Sequence, residues 1–270
     1  MFVSKLAVTT FVFVFGCHIL AQPQATPSDP LTFEIASVKA STAGCPPECG
    51  LVRPLPGNKQ YHAEGATLRS LMTIAYQVTD RQISGGPSWI NSDRFNIDAK
   101  AERPRTSDEL HAMLAHLLEE RFQLKVRREN RQESVLALLV DKGGAKMPLH
   151  DPEDKDYPPI GGSGGRGADG LMCPGLDGHN VMMNYFAFYL SRVLGQAVID
   201  RTELPARYDV KVQFAPEGAK MTGPDGQSVL SPDCPDITTA LPKQLGLKLE
   251  RTKGPVEYLV VEHAEKPADN

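Results

Sequence analysis

Cysteines, histidines and a scatter of strand-borne carboxylates are the residues of this chain with chemistry to offer, and their spacing narrows what that chemistry is. Beyond the N-terminal apolar run stand Cys45, Cys49, Cys173 and Cys234. An even cysteine count in an oxidising compartment predicts two disulfides, with three connectivities open. Cys45-Pro-Pro-Glu-Cys49 closes a small loop on itself or reaches two distant partners. A Cys173 to Cys234 bridge closes a long loop and contributes ~2–4 kcal/mol. A four-thiolate zinc site draws on two close cysteine pairs, and only one such pair exists here, so no zinc site of that kind is expected.

The histidines carry no metal spacing. His111 and His116 fall on one helical stretch five residues apart, which puts them on different faces, and no HExxH is present. Glu119 and Glu120 read as a solvated face. His62, His150, His179 and His263 lie in loops or at strand ends and read as surface histidines. Asp151, Glu153, Asp154 and Asp156 form an acidic run, but it lacks the glycine turn and closing glutamate of a calcium loop. No metal and no cofactor is expected.

Gly162-Ser-Gly164-Gly165-Arg-Gly167 satisfies a dinucleotide fingerprint in letters only. That motif needs a strand before it and a helix after it, and here the flanks read as Asp/Pro loop and Met-Cys-Pro. No GxSxG nucleophile elbow occurs. Two strands repeat an arginine-aromatic-acid pattern, Arg94-Phe95 through Asp98 and Arg207-Tyr208-Asp209. Strand alternation by itself turns Phe95 and Tyr208 inward and their charged neighbours outward. The same residues, with Trp89 after the Gly85-Gly86-Pro87 turn, are candidates for a ligand groove: Trp89, Arg94, Asp98, Arg207 and Asp209. For Trp89 a place against the core is the expected role.

The elements that position these residues come in a repeated order. Residues 33–38 alternate as a strand, and the Pro/Gly/Cys-rich stretch 40–57 reads as loop. A helix opens at Ala66-Thr67-Leu68, with Leu68, Leu71, Met72, Ala75 and Tyr76 at helical spacing. Strands follow near Ile83 and over 94–99. Thr106 and Glu109 form a capping box for a second helix bearing Leu110, Met113, Leu114, Leu117 and Leu118. Strands at 124–128 and 135–141 are expected to close the first module as an antiparallel pair. The Gly/Pro/Asp-rich stretch 143–178 reads as linker. The order then recurs: a helix from Val181 stopped by Gly195, strands at 197–199 and 208–214, a helix capped by Asp236 and disturbed by Pro242, and strands at 247–250 and 256–262. Phe122-Gln-Leu-Lys-Val126 and Leu245-Gly-Leu-Lys-Leu249 echo each other at corresponding places.

The expected fold is α+β: two related modules, each helix-strand-strand-helix-strand-strand, with an antiparallel sheet and helices packed on one face. The expected division is a signal peptide at 1–21, an N-terminal strand and Cys/Pro-rich loop at 22–60, a first module at 61–147, a linker at 148–178 and a second module at 179–266. Lys5 followed by the apolar run Leu6 to Gly16 has the make-up of a secretion signal too short to span a bilayer, with cleavage after Ala21. Lipid anchoring through Cys17 is the alternative. A formal charge of −4 without a basic block excludes a nucleic-acid footprint.

Several segments together resemble a soil-associated bacterial family of secreted proteins of unknown function, domain-of-unknown-function family 3738. They are Phe33-Glu-Ile-Ala-Ser-Val-Lys39, Gln82-Ile-Ser-Gly-Gly-Pro-Ser-Trp89 with Ser92-Asp-Arg-Phe95, Glu119-Glu-Arg-Phe-Gln-Leu-Lys125, Val198-Ile-Asp-Arg-Thr202, Arg207-Tyr-Asp209, and Leu245 through Glu250 with Lys253-Gly-Pro-Val256. The resemblance covers nearly the whole chain after the signal and implies export and a shared domain. It brings no activity or catalytic residues. In some relatives a similar domain follows a membrane-bound metallopeptidase of the antibiotic-sensor type, a portion this chain lacks. Pro242 and the Cys45/Cys49 pair depart from the family pattern. The helix-strand-strand units are also similar to short N-terminal domains of secretins and TonB-dependent receptors, which implies protein contact on topology alone.

The expected role is therefore a non-enzymatic binding or interaction module at the cell envelope, its partner a protein, a peptide or a wall glycan. The alternative is an envelope hydrolase drawing on paired carboxylates among Asp93, Asp98, Asp200 and Asp209, which requires two of them within about 5–10 Å in a cleft.

Overall fold

Runs of alternating burial build the first sheet, and the helices cap it. The computed structural model describes residues 31–41, 50, 52–55, 57–154, 160–215, 222 and 227–268. The apolar N-terminal run with Cys17, and also Cys45, Cys49 and Asp156, lie outside the described residues. In chain order, β1 (Ile35–Ala40), β2 (Val52–Pro54) and β3 (Gln60–Thr67) lead into α1 (Leu68–Ala75). Thr67 caps that helix by accepting from the Ser70 N–H at 3.1 Å. Then come β4 (Ile83–Gly85), β5 (Arg94–Lys100), α2 (Ser107–Arg121) and β6 (Lys125–Val140). The Thr106–Glu109 capping box forms as the sequence predicts.

The chain continues through β7 (Gly161–Arg166), β8 (Met172–Val181), α3 (Met183–Leu194), β9 (Val198–Asp200), β10 (Tyr208–Gln213), α4 (Ile237–Ala240) and β11 (Leu247–His263). Gly195 ends α3 in the left-handed conformation, at φ 63°. Asp236 caps α4 by accepting from the Thr239 N–H. Leu241–Leu245 then widen into a π turn around Pro242, which has no N–H to give an α-helical ladder.

Among the described residues these strands form three sheets, so the fold is mixed α/β with largely antiparallel pairing. The first sheet has the order β1-β5-β3-β2 and the third β10-β8-β7, all antiparallel. The second has the order β4-β11-β6-β9. In it β6 and β11 are antiparallel to each other, while β4 runs parallel to β11 and β9 parallel to β6. Each half of the chain thus lends its short strand to the long strand of the other half. Antiparallel sheets confined to each module do not describe this sheet.

Two expectations are corrected here. Residues 124–128 and 135–141 do not fold back on each other, and neither do 247–250 and 256–262. Each pair lies in one continuous strand, β6 of 16 residues and β11 of 17. The polar stretch between Val126 and Val135 has no glycine or proline with which to turn. Its charges are satisfied across the ribbon instead, by Arg128 to Glu257 at 2.6 Å, Arg127 to Glu262 at 3.0 Å, and Arg131 over the Tyr258 ring at 4.1 Å. Pro255 is tolerated because β4 pairs only with Leu259–Val261, which leaves that edge of β11 open at the proline.

The second correction is the glycine-rich stretch read as linker, which supplies β7 and much of β8. Glycine is used there for close approach: a Cβ at Gly175 would fall on the Val212 carbonyl oxygen, and one at Gly165 on the Gln213 side chain. Cys173 of β8 is disulfide-bonded to Cys234, with Cα atoms 5.4 Å apart, tying the third sheet to the segment before α4. One contiguous core joins all three sheets and includes Tyr61, Leu114, Phe122, Phe186, Val212 and Leu259. Among the described residues no helix is long and apolar enough to cross a membrane.

Candidate functional site

Two β-bulges place the repeated arginine-aromatic-acid strands. In the pairing of β3 with β5 the register shifts so that Glu64 and Gly65 oppose Asn96 alone. In the pairing of β8 with β10 it shifts so that His179 and Asn180 oppose Asp209 alone. Gly65 and Asn180 both take left-handed backbone angles, φ 58° and 55°. Each bulge is clamped the same way. The Arg94 guanidinium donates to the Gly65 carbonyl at 2.7 Å while the Gly65 N–H donates to Asn96 Oδ1 at 2.8 Å. Arg207 donates to the Asn180 carbonyl at 3.1 Å while the Asn180 N–H donates to Asp209 Oδ1 at 3.1 Å. Arg94, Arg207 and Asp209 therefore hold backbone, and Arg207 also pairs with Asp108 at 2.6 Å.

The remaining groove candidates take separate places. Trp89 is half-buried, stacked on Phe122 with ring centroids 6.3 Å apart and edge-on to Phe95, with the Lys266 ammonium 6.0 Å from its ring. Asp98 on the first sheet is exposed and pairs with His62 at 2.7 Å. Of the four carboxylates considered for hydrolysis, Asp93 pairs with Lys266 at 2.7 Å. Asp200 accepts from the Thr202 hydroxyl and N–H in a turn after β9. Asp98, Asp200 and Asp209 belong to three different sheets, and Asp93 lies five residues before Asp98, roughly 16 Å along an extended chain.

Asp209 gathers what the sequence left scattered. His150 Nδ1 lies 2.7 Å from Asp209 Oδ1, and the His150 ring is only 4% exposed, so it is not the surface histidine its loop position suggested. His150 Nε2 lies 3.3 Å from the Asp154 carbonyl. His179 Nδ1 lies 3.4 Å from the same Asp209 oxygen but is not aligned for a hydrogen bond, and that nitrogen is sealed from solvent. His179 Nε2 faces Asp177 at 3.9 Å. Burial draws the Asp209 carboxyl upward, but the hydrogen bonds from His150 and the Asn180 N–H and the two nearby imidazoles outweigh it and hold the group below the usual carboxylate range. No spacing in the sequence could have found this cluster. His150 and Asp209 are 59 residues apart, and residues 148–150 meet Arg207 and β10 through backbone bonds that exist only in the folded chain.

His150 also borders a cleft of about 730 Å³ over the N-terminus of α2. Arg103, Arg105 and Arg207 line it against Glu109 and Asp154. Asn58 stands in its wall, 2% exposed, and its carboxamide has no hydrogen-bond partner. His179 borders a second cleft, of about 590 Å³, with Arg53, Asp177, Tyr189 and Arg192. His116 is exposed on α2, whereas His111 on the opposite face is 1% exposed, packed between Tyr61 and Tyr185, as five-residue spacing on a helix requires. Burial pushes the His111 imidazole down to about 4.

No curated protein and no solved structure matches this chain. A family model does, over residues 69–264, a span from the first helix to the end of the last strand that contains the second bulge, the histidine cluster and the intertwined second sheet. The chain belongs to the family described as Protein of unknown function (DUF3738).

Proposed function

We propose that the protein is an exported, non-enzymatic binding module of the cell envelope, built by internal duplication, whose ligand engages the cleft over α2 through an anionic group. The ligand would be presented by an envelope protein, a peptide or a wall glycan. The observation that carries this reading is the lining of the cleft: three arginines and His150 against two carboxylates, at a helix N-terminus whose backbone partial charge also favours an anion. Export is supported by the apolar N-terminal run and by the Cys173–Cys234 disulfide, which belongs in an oxidising compartment. Duplication is supported by the paired bulges and by the second sheet, whose order and strand senses are unchanged when β4 exchanges with β9 and β6 with β11. The hydrolase alternative draws no support from Asp93, Asp98, Asp200 and Asp209, each of which is engaged with its own partner in a different place.

Calorimetric titration of the purified full chain with soluble wall peptides bearing free carboxylates tests the reading. Binding that weakens as salt rises, and weakens roughly 10-fold in Arg103→Glu, is expected. Binding unaltered by Arg103→Glu, or no binding by any carboxylate-bearing wall peptide, would sink it.

A further inference from the structure

We infer that His150, His179 and Asp209 form a site for one late first-row transition ion, of which Zn²⁺ is the representative, independently of what the cleft over α2 binds. One ligand atom from each of the three lies within 4.8 Å of the other two. In a tetrahedral zinc site with bonds near 2.0–2.1 Å, neighbouring ligand atoms stand about 3.3 Å apart. The two distances to Asp209 Oδ1, 2.7 Å from His150 and 3.4 Å from His179, bracket that value. Two imidazole nitrogens and one carboxylate oxygen suit zinc and its neighbours, and not calcium or magnesium, which take all-oxygen shells.

Three further observations point the same way. Both nitrogens of the His150 ring face oxygen atoms, Asp209 Oδ1 and the Asp154 carbonyl. A ring that donates Nε2–H to a backbone carbonyl and turns Nδ1 toward a carboxylate is oriented as metal-bound histidines are. The sealed Nδ1 of His179 makes no hydrogen bond and lies 3.4 Å from the same carboxylate oxygen. The comparison within the molecule is equally telling: Asn96 clamps the first bulge with a neutral carboxamide, so the backbone does not require a carboxylate at 209 or a histidine at 179. Those charges and nitrogens are surplus to the clamp. His150 and His179 each border a solvent cleft, which gives an ion a way in.

The test is metal stoichiometry on the full chain with its disulfide intact, stripped with chelator and dialysed against Zn²⁺ at pH 7.5. One zinc per chain is expected, and a cobalt-substituted sample should show the visible absorption of a four-coordinate Co²⁺ site. His179→Ala, and Asp209→Asn, which retains the clamp in the manner of Asn96, should each lower zinc affinity at least about 100-fold. His116→Ala should leave it unchanged. Trp89 fluorescence confirms that each variant is folded. Zinc affinity equal in the wild type, His179→Ala and Asp209→Asn, or no zinc retained by the wild type, would overturn the site. Neither result bears on peptide binding, which is read without metal.

Discussion

His111 makes acid a specific threat to this fold. Its ring is enclosed between Tyr61 of β3 and Tyr185 of α3, with centroids 6.1 and 5.0 Å away, and Tyr185 Oη lies 3.4 Å from Nε2. Burial is the dominant cause of its lowered affinity for a proton, and the more distant Asp108 carboxylate opposes it only in part. The imidazole titrates near 6.5 in the unfolded chain and is pushed down to about 4 in the folded one. Between those values the unfolded state binds the proton and the folded state does not. The contribution is therefore fully present above pH 6.5 and is lost progressively as pH falls toward 4, a total of about 3 kcal/mol. Against a typical domain stability of about 5–15 kcal/mol that is a large share. Urea unfolding followed through Trp89, the single tryptophan, at steps from pH 7.5 to 4 measures it in the wild type and in His111→Phe, which keeps a ring but cannot titrate. The stability difference between the two proteins should shift in favour of the variant by about 3 kcal/mol across that window. Parallel pH curves would refute the argument, because the same exposed carboxylates and histidines titrate in both.

Reducing the Cys173–Cys234 bridge, or replacing both cysteines with alanine, should cost about 4 kcal/mol, since it releases a loop with a sequence separation of 61 residues; the drop in the urea midpoint with and without reductant reads it. Thr106→Ala removes the oxygen that accepts the Glu109 N–H and should lower stability by about 1 kcal/mol, visible as a shift in melting temperature without loss of the wild-type near-ultraviolet spectrum.

Local signals were legible in the sequence because the interactions behind them span three or four residues. The Thr106–Glu109 box, the Asp236 cap and the Gly195 stop each satisfy orphan amides or carbonyls within one helical turn, so the letters alone place those helix ends. Strand alternation likewise put Phe95 and Tyr208 inside.

Partnership across the chain was not legible. Nothing in residues 125–140 says that their partner is 247–263 and not their own other half, because a strand's hydrogen bonds come from backbone groups that every sequence shares. The glycines of β7 and β8 looked like linker because composition reports flexibility, whereas the need for close approach exists only once Val212 and Gln213 lie across from them. His150, His179 and Asp209 come from a loop, a bulge and a strand that meet only after the third sheet closes. What the sequence by itself determined was where the main helices lie and which face the alternating strands bury, since propensity and periodicity act locally. Which strands pair, and which side chains are thereby brought within reach of one carboxylate, was decided by the tertiary structure, where contacts between distant residues outweigh any local preference.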